Sequence, residues 1–115
     1  MKNKNKKVLI LESNPIVSIL YLNIIRSINS KVELNAFENV KDFRKQRALI
    51  APTIVYLAED FCSEILDLIH EIQASYRKAE IFVLSHSQNL KMKNLGVKSL
   101  YQPFFLDAFS RHLAF

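Results

Sequence analysis

The side chains in this sequence that have useful chemistry follow short apolar runs. Glu12 and Ser13 come directly after the run at residues 8–11, and Ser85 follows the run at residues 81–84. Carboxylate and hydroxyl oxygens at such positions are groups that would hold a magnesium ion. One glutamate beside a serine hydroxyl is a poor magnesium site, because magnesium prefers several oxygen ligands anchored by carboxylates. We therefore predict no metal ion and no cofactor.

Other catalytic classes find no support in the sequence. The histidines His70, His86 and His112 lie on different predicted elements, with no cysteine nucleophile or serine elbow beside them. The chain has one glycine, which excludes the glycine-rich loops that bind nucleotide phosphates. Its one cysteine, Cys62, has no partner for an internal disulfide and belongs to no paired metal motif. We predict no catalytic residue and no enzyme activity.

Length, composition and charge predict a single globular domain in the cytoplasm. At 115 residues, 50% of them hydrophobic, the chain is long enough for one core and too short for two. No apolar run approaches the roughly 20 residues needed to span a bilayer, and a lone cysteine suits a reducing compartment. We interpret residues 1–7 as a solvated basic tail, which carries much of the formal charge of +5, and residues 8–115 as the domain. Nucleic acid is expected as a partner only through an attached domain.

Strand-like and helical segments alternate along the chain, which is typical of a parallel sheet covered by helices on both faces. Short apolar runs predict five strands, at residues 8–11, 32–36, 53–57, 81–84 and 99–101. In such a doubly wound α/β fold, ligands bind at the carboxyl ends of the strands. The residues that follow the strands are therefore the candidate site.

Capping residues mark where the helices begin. The first helix is predicted over residues 16–28, with Asn14 as its cap and Pro15 in its first turn, where a missing N–H costs nothing. Asn39 and Asp60 are the predicted caps of the second and third helices. The second helix is predicted over residues 40–49 and the third over residues 61–76. The fourth is predicted within residues 86–95, and the fifth after Pro103.

Four short motifs follow one another in the order and spacing of a known family. They are the segment LILESNP at residues 9–15, the strand between Pro52 and Ala58, the pair Leu84-Ser85, and the element at residues 96–104. Together they resemble the receiver domain of bacterial response regulators over essentially the whole chain. The resemblance implies a flavodoxin-like sheet of order 2-1-3-4-5. It also implies a fourth helix shortened by about one turn.

The resemblance also implies which residues would form the receiver's phosphorylation site. In the family, an acidic pair and an acceptor aspartate hold magnesium, while a hydroxyl residue and a lysine contact the phosphoryl group. Here Ala58 stands at the acceptor position, and alanine cannot accept a phosphoryl group. The other positions of the site fall on Glu12, Ser13, Ser85, Ser99, Gln102 and Pro103. Only Glu12, Ser85 and Pro103 keep the family's residue type, so the resemblance implies a degenerate site. The bond before this proline is cis in the family, and either isomer is open here.

A competing register involves Glu59 and Asp60, which follow Ala58 directly. If the third strand ended one residue later, Glu59 would occupy the acceptor position and imitate a charged site. The alternative function is then a receiver still switched by metal or phosphoryl ligands through Glu12, Glu59 and Asp60. A small magnesium-dependent phosphoryl-transfer protein is a further form of this alternative. The spacing from Pro52 favours Ala58 as the end of the strand.

If the site is inert, function lies on the surface. The pattern of the first helix directs five apolar residues toward the sheet, namely Val17, Leu20, Tyr21, Ile24 and Ile28. It leaves Ile19 and Leu22 on the outward side, together with Ser18, Asn23 and Arg26. Phe105 and Leu106 occupy positions where a polar helix cap is usual, and Tyr101 ends the fifth strand. We predict these residues to be the surface that binds a protein partner or a second copy. The domain is then a binding or dimerisation module, either alone or as the input domain of a longer regulator.

Overall fold

The computed structural model describes residues 6–85 and 96–101 of the chain. Within them the chain forms one parallel sheet of five strands in the order β2-β1-β3-β4-β5. The strands are β1 (Lys7–Leu11), β2 (Glu33–Phe37), β3 (Ile54–Ala58), β4 (Glu80–Ser85) and β5 (Lys98–Tyr101). The predicted α/β fold and strand order are confirmed, and the strand ends lie within about one residue of their predicted positions.

Three helices connect the strands in the described part of the chain. They are α1 (Pro15–Ile28), α2 (Val40–Gln46), which continues as a 3-10 turn over Arg47–Leu49, and α3 (Ile65–Ser75). None of these helices is long and apolar enough to cross a membrane. The predicted short fourth helix at residues 86–95 and the fifth helix after Pro103 lie outside the described residues.

The core has two layers, one on each face of the sheet. Side chains alternate between the faces because successive residues of a strand point in opposite directions. On one face, strand residues such as Leu9 and Leu57 pack against Phe43 of α2 and Ile69 of α3. On the other face, a second cluster joins the strands to Tyr21 and Ile25 of α1. Each large apolar side chain that is fully buried contributes about 1.5–3 kcal/mol, so the central strands supply much of the stability.

The parallel register brings the ends of the strands to one edge of the sheet. Leu11 at the end of β1 lies beside Phe37 of β2 and Leu57 of β3. At the next step along the sheet, Ala58 lies beside Leu84. We call the residues at this end the carboxyl edge, which comprises Glu12, Glu38, Glu59, Asp60 and Ser85. Acidic residues directly follow three neighbouring strands there.

Helix α1 begins as predicted but lies on the sheet in a different orientation. The side-chain oxygen of Asn14 accepts hydrogen bonds from the N–H groups of Ile16 at 2.9 Å and Val17 at 3.4 Å, and Pro15 is the first helical residue. The fully buried residues of the helix are Ser18, Tyr21 and Ile25. Asn14 is therefore confirmed as the cap that sets where the helix starts. The face of the helix that packs on the sheet is centred on Ser18, Tyr21 and Ile25 and not on the predicted line of residues.

Two predictions for the faces of α1 are corrected by this orientation. Leu20, predicted to face the sheet, is 54% exposed. Leu22, predicted to face outward, is partly buried and packs against the core. Both errors have one cause, because the prediction also placed Ser18 on the outward side, and serine carries no apolar signal. Ser18 is only 4% exposed, so the buried line runs through it.

Helix α3 begins later than the prediction, and Asp60 is not its cap. Residues 59–64 form turns, and the helix starts at Ile65 with Glu64 at the cap position, where no side-chain bond is made. Phe61 is buried as predicted, but in a turn, where its N–H donates to the carbonyl of Ala58 at 3.0 Å. Asp60 is exposed. The predicted start was wrong because Phe61 lies at helical spacing before the apolar residues of α3, although it is buried in a turn.

Helix α2 follows its prediction more closely. The side-chain oxygen of Asn39 accepts from the N–H of Asp42 at 2.8 Å, which confirms this residue as the cap. The α-helical part ends at Gln46, and the rest of the predicted length is the 3-10 turn. Tightening of the last turn is a common way to satisfy the final carbonyl groups of a helix.

Candidate functional site at the carboxyl edge of the sheet

Glu12 is the acid that the structure holds most firmly at the carboxyl edge. It follows β1 and is 7% exposed. Its carboxylate oxygen Oε2 accepts a hydrogen bond from the N–H of Asn14 at 3.0 Å, and its own N–H donates to the carbonyl of Phe37 at 3.2 Å. The same loop that caps α1 therefore orients this carboxylate. Ser13, which follows it, is exposed.

Ala58 ends β3 with a buried methyl group. The residue is 3% exposed and pairs with Leu84 of β4. The N–H of Glu59 donates to the carbonyl of Leu84 at 2.9 Å, and the chain forms a turn at Glu59 and Asp60. The register in which the strand ends at Glu59 is not the one found. Glu59 itself is half-buried in the turn that follows.

Ser85 and Ser99 differ in their environments. Ser85 ends β4, is 2% exposed and pairs with Tyr101 of β5. Ser99 pairs with Val83 and is exposed. The structure thus brings Glu12, Ala58 and Ser85 to the same end of the sheet, whereas Ser99 lies two positions before the end of β5. Gln102, Pro103, Phe105 and Leu106, and the side chain of Tyr101, lie outside the described residues.

Tyr21 is a neighbour of this edge that the sequence analysis counted only as a core residue. It is 6% exposed, and burial raises the pKa of its phenol to about 12, with the negative charges of Glu12 and Asp60 adding to the effect. The phenol is therefore neutral at physiological pH. Its two acidic neighbours are distant in sequence from one another, so no local pattern identifies the group.

The acids of the carboxyl edge do not form a cluster of metal ligands among the described residues. Among residues 6–85 and 96–101, no group of three or more histidine, cysteine, aspartate or glutamate side chains is close enough to hold a metal ion. Glu12, the buried acid, is engaged by the N–H of Asn14. The expectation that the protein binds no metal stays a prediction.

A second charged cluster joins α2 and α3 away from this edge. The guanidinium of Arg44 makes a two-pronged contact with the carboxylate of Glu71, with the Nη2–Oε1 distance 2.8 Å, and Arg47 also binds this carboxylate. These hydrogen bonds and charges lower the pKa of Glu71, led by the hydrogen bond from Arg44. The hydroxyl of Tyr76 donates to the carbonyl of Arg47 at 2.7 Å. The cluster is a clamp that joins α2 and the 3-10 turn to α3.

A hollow of about 390 Å³ lies at the opposite end of β3 and β4. Its lining includes Thr53, Arg77 and Lys78. The Thr53 hydroxyl already contacts the main chain of Lys7 at 3.2 Å. Arg77 and Lys78 follow the C-terminus of α3, where positive charge is favoured by the helix dipole. The carboxyl edge remains the better candidate site, because in doubly wound sheets ligands bind at that end.

Comparison with known proteins gives a clear answer for the fold. No protein-family model and no curated protein matches the sequence. Solved structures do match, with TM-scores between 0.76 and 0.82 for the following three examples. The chain is similar to the receiver domain of a DNA-binding response regulator from Colwellia psychrerythraea, with a TM-score of 0.82, 11% identity, and coverage of 93% of this chain and 94% of that chain.

Two further structures have the same architecture. A response regulator from Thermotoga maritima matches with a TM-score of 0.76 and 16% identity, over 94% of this chain and 93% of that chain. RcsB from Salmonella enterica, bound to promoter DNA with a phosphomimetic, matches with a TM-score of 0.78 and 17% identity, over 96% of this chain and 69% of that chain. This protein therefore has the fold of response-regulator receiver domains.

Proposed function

We propose that this chain is a receiver-type signalling domain that recognises a protein partner without being phosphorylated. The observation that carries the proposal is the end of β3, where the buried methyl group of Ala58 lies beside Leu84. Phosphorylation of a receiver requires a carboxylate oxygen at this position to attack phosphorus. A methyl group has neither a lone pair nor a proton to exchange, so the acceptor chemistry is lost.

The remaining groups of the carboxyl edge support the same proposal. Glu12 is a single buried carboxylate, and its neighbour Ser13 contributes only a hydroxyl, which makes a poor magnesium site. Gln102 stands where the receiver family has a lysine. A lysine that lost the acceptor carboxylate as its partner would be an unpaired charge, which costs several kcal/mol when it is partly buried. A neutral glutamine removes that cost, so the substitutions at positions 13, 58 and 102 are consistent as a set.

The function that follows is one of binding. The domain has no catalytic residue in this proposal, acts in the cytoplasm, and passes a signal by contact with a protein partner or with a second copy of itself. It acts alone or as the input domain of a longer regulator, with nucleic acid contacted only by an attached domain. Ile19, Tyr101, Phe105 and Leu106 are proposed as surface residues, whereas Leu22 is removed from the set by its packing against the core.

An amide NMR titration tests whether the site is inert. The protein is titrated first with magnesium and then with magnesium plus beryllium fluoride, a mimic of the acyl phosphate. We expect no saturable shifts at the amides of Glu12, Ala58 and Ser85. The matched control is the triple variant Ser13→Asp, Ala58→Asp, Gln102→Lys, which restores the family's residue types and is expected to gain saturable shifts.

Saturable shifts at these amides in the unaltered protein would overturn the proposal. They would support the alternative function, in which a receiver is switched through Glu12, Glu59 and Asp60, or in which the protein transfers phosphoryl groups with magnesium. The observation that favours retaining this alternative as an outcome is that Glu12, Glu59 and Asp60 follow two paired strands at the same edge of the sheet. Substitution Asp60→Asn would then be expected to weaken the magnesium-dependent shifts.

A further inference from the structure

Helix α1 exposes more apolar surface than a helix against a sheet requires. Ile16 is 78% exposed, Ile19 is 57% exposed and Leu20 is 54% exposed. Residues three and four apart are neighbours on a helix surface, so these side chains form one continuous stripe. We call the line of exposed residues formed by Ile16, Ile19, Leu20, Asn23 and Arg26 the outer face of α1. Contiguous apolar patches of this kind mark interaction sites more often than scattered apolar residues do.

The outer face changes character toward the end of the helix. Asn23 and Arg26, which continue the stripe at helical spacing from Ile19, are exposed and polar. Arg26 is the basic residue in the last turn of α1, and the first turn contains no acidic residue. The stripe is therefore apolar in its first half and positively charged at its end.

Charge is also segregated along the direction of the strands. The carboxyl edge carries Glu12, Glu38, Glu59 and Asp60. The opposite end, which we call the amino edge, carries basic residues that precede or begin the strands: Lys6, Lys7, Lys31, Arg77 and Lys78. Two acids share the amino edge, Glu33 and Glu80, and Glu80 is bound by Lys98 at 2.8 Å.

Helix α1 connects these two ends. It begins after the end of β1, at the carboxyl edge, and its last residues precede the start of β2, at the amino edge. Ile16 therefore lies near the acidic end of the molecule, whereas Arg26 lies near the basic end. Asp60, which follows β3, is an exposed acid of the carboxyl edge.

We propose that the outer face of α1 binds the same face of a second copy, with the two helices antiparallel about a two-fold axis near Ile19 and Leu20. An antiparallel pair sets the acidic edge of each copy against the basic end of the other. A parallel pair would set like charges together. The arrangement is isologous, so every contact occurs twice. This inference rests on the proposed function, since it names the partner of a domain that acts by binding.

The geometry of a helix makes the charge contact specific. With a rise of 1.5 Å per residue, Arg26 lies about 10 Å from the two-fold axis. The same distance on the other side of the axis reaches the start of α1 in the second copy, next to its carboxyl edge. In the proposed dimer, Arg26 of each copy is placed opposite Asp60, an exposed acid of the other copy's carboxyl edge. Three apolar side chains and two exposed ion pairs make a small interface, and small interfaces are weak and transient.

Sedimentation equilibrium over a range of protein concentration up to about 1 mM, where weak complexes are populated, tests the proposal. We expect the average mass to rise toward that of a dimer. Ile19→Asp is expected to abolish the rise. The matched control is Leu49→Asp, which places the same charge at an apolar residue that is 77% exposed but lies on the 3-10 turn after α2. This control is expected to associate as the unaltered protein does.

A charge exchange tests which residues face each other. Arg26→Glu and Asp60→Arg are each expected to weaken association by about tenfold, because each changes two exposed contacts in the dimer. The double variant with both substitutions is expected to regain the original affinity, since opposite charges again face one another. Recovery of this kind does not follow from a change in net charge or from partial unfolding.

Several results would overturn the inference. They are a mass that does not change with concentration, equal effects of Ile19→Asp and Leu49→Asp, or a double charge variant weaker than either single variant. Loss of association in Phe105→Asp with none in Ile19→Asp would also overturn it and place the contact elsewhere. A monomer whose NMR spectrum does not respond to beryllium fluoride would refute self-association while leaving the proposed function standing. A response to beryllium fluoride would refute the proposed function whatever the mass.

Discussion

The N–H of Glu59 donates to the carbonyl of Leu84 at 2.9 Å, immediately after Ala58 and Leu84 pair across β3 and β4. This bond extends the main-chain pairing of the two strands to the residue after Ala58, and the chain then forms a turn at Glu59 and Asp60. The side chain left at the end of β3 is a methyl group with 3% of the residue exposed. Any attempt to rebuild an acceptor there must place a carboxylate in a buried position.

Ala58→Asp alone is expected to fail as a phosphorylation site. Ser13 and Gln102 would still leave magnesium and the phosphoryl group without their usual ligands. The new carboxylate would also be poorly compensated, so we expect a loss of about 1–3 kcal/mol in the free energy of unfolding. Urea unfolding and incorporation of phosphate from a small-molecule donor measure the two effects. Ala58→Asn is the matched control for shape, and phosphate uptake by the aspartate variant alone would contradict the prediction.

Tyr21 predicts a specific loss of stability at alkaline pH. Its pKa is about 12 in the folded protein and about 10 in an unfolded chain. The folded state therefore keeps the phenolic proton that the unfolded state loses. The associated stability is fully present below about pH 10 and is lost as the pH rises through about 12.

Tyr21→Phe is expected to remove this contribution, so its free energy of unfolding should fall less steeply between those pH values. Burial also raises the pKa of Tyr56 and of Tyr76. Tyr76→Phe removes another phenol of this kind, so its unfolding at alkaline pH is the comparison for Tyr21→Phe. Unchanged alkaline unfolding in Tyr21→Phe, with the native fold retained at neutral pH, would show that the phenol is not perturbed in the folded state.

The clamp at Glu71 predicts the opposite dependence, at acidic pH. The hydrogen bond from Arg44 leads the interactions that lower the pKa of Glu71 in the folded protein. The stability that comes from this carboxylate is present above its unfolded pKa of about 4.3 and is lost as the pH falls through the lower folded value. Because the ion pairs are partly exposed to solvent, Glu71→Gln is expected to cost about 1 kcal/mol or less at neutral pH.

Acid unfolding monitored by circular dichroism measures this effect. Glu71→Gln should unfold with a shallower dependence on pH than the unaltered protein. Asp67→Asn, which removes an exposed acid from the first turn of the same helix, serves as the control. The prediction is contradicted if the two variants have the same acid-unfolding profile.

At Gly96 the backbone conformation is one that a residue with a side chain adopts only with strain. Its φ is 74°, in the left-handed region, and a Cβ there would lie 3.3 Å from Nε2 of Gln73. Gly96→Ala is expected to destabilise the protein by about 1–2 kcal/mol, the cost of the left-handed conformation for a residue with a Cβ. Chemical unfolding measures this change.

Two companion variants separate backbone strain from the contact. Gln73→Ala, combined with Gly96→Ala, removes the contact between the new Cβ and Gln73. It should recover little of the lost stability if the backbone conformation is the cause. Gly96→Asn should be milder than alanine, because asparagine adopts this conformation more readily. Equal stability of the alanine variant and the unaltered protein would refute the assigned strain.

The strands and the helix caps were predictable from the sequence because both depend on local patterns. The strand residues form short apolar runs that are buried on both faces, which is why the ends of β1 and β3 came within one residue of their observed positions. Asn14 and Asn39 cap helices through N–H groups only two or three residues away. Physical interactions of such short range are visible in the order of residues alone.

The orientation of α1, the start of α3 and the neighbours of Tyr21 depended on contacts between distant residues. Ser18 is buried because the sheet lies against it, although serine carries no apolar signal. Phe61 is buried in a turn because the core accepts its ring there, which imitated the pattern of a helix. Glu12 and Asp60 come within reach of one phenol only when β1 and β3 pair. Local periodicity carries the type and order of the elements, whereas packing between them decides which face is exposed and which charges meet.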